Sequence, residues 1–333
     1  QTKIIQVMDG NLDYVSGFSV IPLSDYPFIK ENEADSPYRS VLYKGDFASN
    51  MTIAFNQNVP DPVLREAFRD KRFREAMSLA MDREAINEGA YLGLAIPRQQ
   101  AVLPTVSFYE EEWGDYKIEH DPERANQLLD EMGLEWNQDR TLRLRPDGKP
   151  INLLIESGHG SAPEALVAEI VKNQWEQVGV TLTIKSEKIT HERLQQGELY
   201  ELAIVDAGGQ STELAMHGGD FLFFAGNMGA YGWFNWLESG GADGTEPPGK
   251  WKDVYEWIQE ANATVPGTPR WIELKKMIHE TRVESLVQLG TVYGAPIIDL
   301  ASERLRNLPE GIWFGWATGI HTNLFTQQWY LNE

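Results

Sequence analysis

Residues 51–93 read MTIAFNQNVPDPVLREAFRDKRFREAMSLAMDREAINEGAYLG, and the order of elements in this stretch decides the fold. Met51–Phe55 is a short β-type run, and Asn56–Pro62 is a turn-rich connector. Phe73, Met77, Leu79, Ala80 and Met81 then recur at roughly helical spacing, which predicts a helix. Asp82 interrupts it. An aspartate in that place accepts backbone N–H bonds, so a second short helix is expected from Arg83 to near Gly89 or Gly93. The stretch predicts a strand followed by a helix–turn–helix.

The composition sets outer bounds. A chain of 333 residues is expected to hold about two domains and to bury a large core. Its 29 basic against 50 acidic residues give a net charge of −21, which repels phosphate backbones and argues against a nucleic-acid partner. It holds no cysteine, so disulfides, thiolate catalysis and cysteine zinc sites are excluded. No apolar run approaches the roughly 18–20 residues that span a bilayer, and no signal peptide is visible. Eleven Trp, twelve Tyr and thirteen Phe are enough both for core packing and for flat ligand-facing surfaces.

Outward from the opening stretch, Val41–Tyr43 and Met51–Phe55 read as two strands around a Gly45-Asp46 turn. Asp9–Asp13 is spaced like the start of a calcium loop, but Tyr14 stands where the loop needs Gly and Val20 where it needs Glu, so calcium is excluded. Asp121 caps a helix with Pro122 at its first position, Leu128, Leu129 and Met132 on its buried stripe and Gly133 at its end. Thr141–Arg145, an Asp147-Gly148 turn and Ile151–Ile155 read as a hairpin. A helix from Ser161, a strand at Val180–Ile184, a helix capped by Thr190 and a strand at Leu202–Val205 complete a βαβ alternation with a largely parallel sheet. Further helices are expected at Trp251–Ala261 and from Thr268-Pro269 to about Arg282.

Ligands of such sheets sit at the carboxyl ends of the strands. That rule singles out the loop after Val205, with Asp206, Gly209, Gln210 and Ser211 as candidate ligand contacts. The run DFLFFAGNMGAYGWFNWLE over residues 220–238 is the second candidate. Trp233 and Trp236 would share a helix face, and with Asn235 they would suit a sugar ring, its C–H face on the aromatic and its hydroxyls on the amide. Packing into an aromatic core explains the same residues equally well.

There is no Gly-x-Ser-x-Gly elbow and no phosphate loop. The six histidines, at 120, 159, 191, 217, 279 and 321, are scattered without metal-ligand spacing. No cofactor and no metal is expected. Fifty carboxylates leave open a secreted hydrolase acting on oligosaccharides through paired acids.

The wording of the opening stretch adds to its physics. A strand ending in Phe55-Asn56, a Pro-containing link and RFREAMSLAMDREAI over residues 72–86 closely resemble the family 5 extracellular solute-binding proteins of ABC importers. DPERANQLLDEMG at 121–133 resembles the same family, as do Gly10 to Asp13 and Leu305–Pro309. The resemblance implies a periplasmic-binding-protein-like α/β fold of type II. Residues 1–50 would be the end of a first lobe, 51–295 the C-terminal ligand-binding lobe and 296–333 the return to the first lobe. Phe55, Asn56 and Gly294 would mark the hinge crossings. It implies no enzymatic activity, capture of an oligosaccharide or oligopeptide by two-lobe closure, and delivery to ABC permease subunits. It implies a periplasmic or extracellular, cell-surface-associated location, with tethering through a lipid anchor upstream of Gln1, where an export signal and more of the first lobe are also expected. In peptide-binding members the loop after the Leu202–Val205 strand carries a Trp and an Asp that pairs with the peptide amine. Here Ala207 and Gln210 fall at about those places, which removes the ionic anchor and favours sugar over peptide. A signalling or adhesion receptor on the same fold is a further alternative.

Overall fold

Aspartates start the helices of the opening stretch. Asp61 accepts the Val63 and Leu64 N–H groups at the head of α3 (Pro62–Arg69), Asp70 accepts that of Arg72 in α4 (Lys71–Leu79), and Asp82 accepts that of Ala85 in α5 (Arg83–Tyr91). Asp121 caps α6 (Pro122–Glu131) in the same way, through Arg124. The helix–turn–helix is therefore present, and α3 is an additional helix between the connector and the first helix of that pair.

The computed structural model describes residues 2–16, 21–158, 162–189, 200–205, 229–314 and 326–332. The first helices of the chain are α1 (Thr2–Met8) and α2 (Tyr26–Glu33). After α6 come α7 (Ala162–Glu176), α8 (Tyr231–Glu238), α9 (Trp251–Ala263) and α10 (Pro269–Ser285). The strands are β1 (Tyr14–Val15), β2 (Tyr38–Gly45), β3 (Thr52–Phe55), β4 (Ile96–Pro97), β5 (Asn152–Ser157), β6 (Thr181–Lys188), β7 (Leu202–Val205), β8 (Gln288–Gly290), β9 (Val292–Tyr293), β10 (Pro296–Ser302), β11 (Leu305–Arg306), β12 (Trp313–Phe314) and β13 (Tyr330–Leu331).

Two main sheets organise them. One has the order β6-β5-β7-β3-β8, and the other the order β1-β10-β2-β12. In the first, β5 runs parallel to β6 and β7, whereas β3 runs antiparallel to both β7 and β8. The βαβ alternation accounts for the parallel half. β3 alone runs against the other four strands, because it enters from the second sheet at the edge where they end. For the same reason β2 and β3 do not form a hairpin: Gly45-Asp46 leads from one sheet to the other.

The five-stranded sheet buries one face under α3 to α7. Ile53, Phe55, Phe68, Phe73, Met77, Leu153, Ile155 and Trp175 meet there at 2% exposure or less. The expected 141–145 strand is reduced to isolated bridges, because the N–H groups of Arg143, Leu144 and Arg145 donate to Gly179, Glu135 and Lys149, three separate segments that form no ladder. The fully buried Arg143 guanidinium donates to the carbonyls of Val178, Leu134 and Asn126 and pairs with Asp130 at 2.7 Å. A second core lies under α8 to α10, where Trp233, Trp251, Trp271, Leu274 and Ile278 pack with Phe108 and Trp113. Helices α1 and α2 cover the four-stranded sheet. Among the described residues no helix is long and apolar enough to cross a membrane.

Candidate functional site

The strand pairings place a single edge. Ser157 pairs with Lys188, Thr52 with Val205, and Thr52 with Gly290. The carboxyl ends of β5, β6, β7 and β8 and the amino end of β3 therefore lie together. The two chain passages to the other sheet, 46–51 and 291–295, leave from this same edge.

The passages are tied to each other. Asn50 N–H donates to Val292 O at 2.7 Å, Thr291 N–H and Oγ1 donate to Met51 O at 3.2 and 2.8 Å, and the Ala295 N–H donates to the Asn50 side chain at 3.0 Å. Ser49 Oγ adds a bond to Met51 O at 2.6 Å. Gly294 follows with φ of +76°, a conformation that strains any residue with a Cβ, and it has open space around it. A short double passage of this kind, with one left-handed glycine, concentrates any relative motion of the two sheets in few dihedrals.

Polar groups accumulate beside the passages. Thr52 Oγ1 donates to Val205 O at 3.0 Å, and Gln288 accepts from buried Arg282, whose guanidinium burial pushes down to about 9. Glu156, fully buried, pairs with Lys185 at 3.1 Å, and Ser157 donates to buried Glu164 near the head of α7. The apolar run Leu153–Ile155 in β5 signals a buried strand but not the charged groups that meet at its end. Glu156, Lys185 and Glu164 were missed for that reason.

The arginines of the opening stretch serve the frame. Arg83, 2% exposed, donates to the carbonyls of Gly290 at 2.9 Å and Ser78 at 3.1 Å, and to Ser78 Oγ at 2.9 Å. It thereby fixes the end of β8 where the second passage begins. Arg74 donates to Ser285 O at 2.8 Å and to Phe68 O, and so closes the C-terminus of α10.

The predicted site residues separate into three groups. Asp206, Gly209, Gln210 and Ser211 lie outside the described residues, as does the helix expected from Thr190; β7 ends at Val205 on the passage edge, directly before them. Gly294 lies on the second passage. Phe55 and Asn56 do not lie on the first: the passage precedes β3, and Phe55 is at the other end of that strand, about 10 Å away at ~3.4 Å per residue. Phe55 is instead fully buried against Phe68, Phe73 and Trp175, and Asn56 donates to Tyr200 O at 2.6 Å.

The aromatic group is also relocated. Gly229 packs against Phe55 O and the Asn56 Cα, so α8 begins at the edge opposite the passages. Trp233 is 1% exposed and lies 5.4 Å from Trp251, which makes it core rather than a face for a sugar. Trp236 is half-buried, with Lys252 Nζ 4.9 Å above its ring and Gly241 against its edge. Asn235 contacts the loop at Gly244. Residues 231–238 do form a helix, but the partner that covers Trp233 comes from a different element. Among the described residues no group of three or more His, Cys, Asp or Glu is gathered as a metal site.

Comparison with known proteins gives this geometry its setting. Residues 1–230 match the family model described as "Bacterial extracellular solute-binding proteins, family 5 Middle". The dipeptide-binding protein of Escherichia coli K12 is 30% identical over 123 residues, a stretch that is 37% of this chain and 21% of that protein. The solved structure of an oligopeptide-binding protein OppA superposes on all of this chain and 55% of its own, with a TM-score of 0.73 at 27% identity. The periplasmic binding protein MelB of Agrobacterium fabrum C58, solved in complex with stachyose, shares the fold with a TM-score of 0.71 at 15% identity, over 99% of this chain and 50% of its own. This chain thus spans about half the length of these structures, and only about a fifth of the curated relative is matched. The fold is that of the periplasmic binding proteins, and the chain belongs to the family 5 bacterial extracellular solute-binding proteins.

Proposed function

We propose that this protein is the substrate-binding subunit of an ABC importer, that it captures a small oligomeric solute between two lobes, and that it hands the solute to membrane permease subunits without altering it. The observation that carries this reading is the double passage. Among the described residues the chain passes between the two sheets in two short, mutually hydrogen-bonded crossings, and these leave from the edge where four strands present their carboxyl ends. A ligand that touches both sides of such an edge stabilises the closed arrangement by its differential contacts. The loop from Asp206 to Ser211 follows β7 at this edge and is proposed to contact the solute, with Gln210 as a neutral hydrogen-bonding group. Gly294 and residues 46–51 are proposed to carry the hinge motion. An oligopeptide is the first expectation, since the dipeptide-binding relative and the OppA structure bear that name. An oligosaccharide is the second, supported by Gln210 in place of an acid and by the stachyose-bound neighbour. Periplasmic or extracellular placement and lipid tethering belong to the same proposal.

A thermal-shift screen of the full-length protein against di- to penta-peptides and di- to hexa-saccharides tests it, because a ligand that binds only the native state raises the melting temperature. The expected result is a shift with one class and recovery of that ligand intact by mass spectrometry. Turnover of an oligosaccharide would replace the receptor reading with a hydrolase.

A further inference from the structure

Arg98 stands beside the second passage and is left without an acceptor. It follows β4, which pairs with β9, and its N–H donates to Thr291 O at 3.1 Å. The side chain runs past Gly114, where any Cβ would overlap the Nε. The guanidinium carbon lies 4.8 Å from the ring centroid of Tyr293, a residue of the passage strand, and 5.3 Å from that of Tyr109. Arg98 is 4% exposed, and both Nη1 and Nη2 are buried with no hydrogen-bond partner. Two residues on, Gln100 is 2% exposed, and both atoms of its amide are also without partners. Its backbone is pressed on Gly290, at the end of β8, where a side chain would meet the Gln100 nitrogen. Asp115 acts on Arg98 through space, together with the two tyrosines, while burial disfavours its charge.

A buried cation with idle donors is expensive, and it persists where something else requires it. Aromatic faces satisfy the plane of a guanidinium by cation–π attraction but not its N–H edge. That edge matches a carboxylate through two parallel bonds, and a neighbouring amide supplies a further donor and acceptor. We propose that Arg98, with Gln100 beside it, recognises a carboxylate carried by the captured solute, and that the tyrosine of the passage strand couples this contact to closure. The proposal rests on the receptor reading and names the chemical class that the receptor selects. Two sources carry such a group: the C-terminus of a peptide and the uronate of an acidic oligosaccharide.

The test uses the full-length protein, wild type and with Arg98→Met, Arg98→Lys and Gln100→Leu. Thermal shift and titration calorimetry are run with tri- and tetrapeptides as free acids and as C-terminal amides, and with oligogalacturonates beside neutral oligosaccharides. The wild type is expected to respond to the carboxylate-bearing member of one pair and to bind the neutral member about 10- to 150-fold more weakly, the worth of a charge-assisted contact. Arg98→Met is expected to erase that discrimination while the ligand-free protein melts close to wild type, because the burial cost of the removed charge offsets the cation–π contacts with Tyr293 and Tyr109 that are lost with it. Arg98→Lys keeps the charge, loses the fork and recovers part of the preference. Equal affinity for acid and neutral forms, or preference retained in Arg98→Met, overturns the proposal and leaves the receptor reading standing. A ligand-free Arg98→Met that melts far lower, and loses acidic and neutral ligands alike, makes Arg98 a structural clamp and also overturns it. Absence of any response from wild type to the whole panel defeats the receptor reading itself.

Discussion

Phe55 separates two accounts of the same residue, hinge and core, and its removal distinguishes them by magnitude. Its ring lies 5.3 Å from Phe68 and 6.1 Å from both Phe73 and Trp175, at the far end of β3 from the passage, and none of it reaches solvent. Truncating a fully buried phenylalanine to alanine costs about 3–5 kcal/mol, from lost transfer energy and the cavity left behind. The upper part of that range applies, since neighbours that are themselves large rings on three helices collapse poorly into the gap. At ~2–4 °C per kcal/mol for a lobe of this size, a 4 kcal/mol loss lowers the melting temperature by about 8–16 °C. Phe55→Leu, which keeps most of the volume, is expected to cost about 1–1.5 kcal/mol. Urea unfolding of Phe55→Ala and Phe55→Leu beside the wild type measures both, and titration of a solute found by screening reports affinity at a temperature where each variant is folded. The expected pattern is a large stability loss with affinity within about threefold. A loss below 1 kcal/mol accompanied by a large change in affinity would refute the core assignment and restore Phe55 to the hinge.

Other consequences follow from particular contacts. Asn50→Ala removes the acceptor of the Ala295 N–H and is expected to speed hydrogen exchange at Ala295 about fivefold, with ~1 kcal/mol lost; an unchanged rate would mean that the passages are not coupled there. His279, buried against Phe108 and Trp113, is held well below 6.5 by burial first, then by Lys275 and Arg282. Its folded pKa is below the unfolded one, so the unfolded chain binds the extra proton. Stability is full above about pH 6.5 and falls with pH below it, by at most ~1.4 kcal/mol per unit. His279→Phe should flatten that slope between pH 5 and 7 in urea titrations, and an unaltered slope would assign it elsewhere. Asp70 is held below 3.8, by the Arg72 guanidinium first and with its backbone N–H also contributing, against the opposing effect of burial. That contribution is present above the unfolded value and is lost as pH falls through the folded one. Asp70→Ala is therefore expected to cost about 1 kcal/mol at pH 7 and progressively less below pH 4.

The parts legible in the sequence are those whose causes are local. Aspartate caps at 82 and 121 declare their helices because the acceptor and the N–H groups it serves lie within three residues of each other. The strands at 152 and 202 follow from short apolar runs in the same way. What depends on distant partners was not legible. Two adjacent runs with a Gly-Asp between them look like a hairpin, yet β2 pairs with β10 and β3 with β7 and β8, residues about 150 to 250 positions away. The end of β3 at which the chain changes sheets is settled by those pairings, and Phe55 and Asn56 lie one strand length from it. Trp233 is sealed by Trp251 from the next helix, a contact that spacing within one helix does not reveal. Arg98 stands in a loop that reads only as Gln- and Pro-rich, and its isolation among tyrosines appears only once Tyr293 and Tyr109 converge on it.

Capture without turnover is the centre of this account. The most direct measurement is isothermal titration of the full-length protein with the solute that gives the largest thermal shift, followed by denaturation and mass spectrometry of what is released. The account predicts saturable one-to-one binding and a released molecule identical in mass to the one added. No saturable binding across peptides and oligosaccharides, or release of a cleaved product, would contradict it.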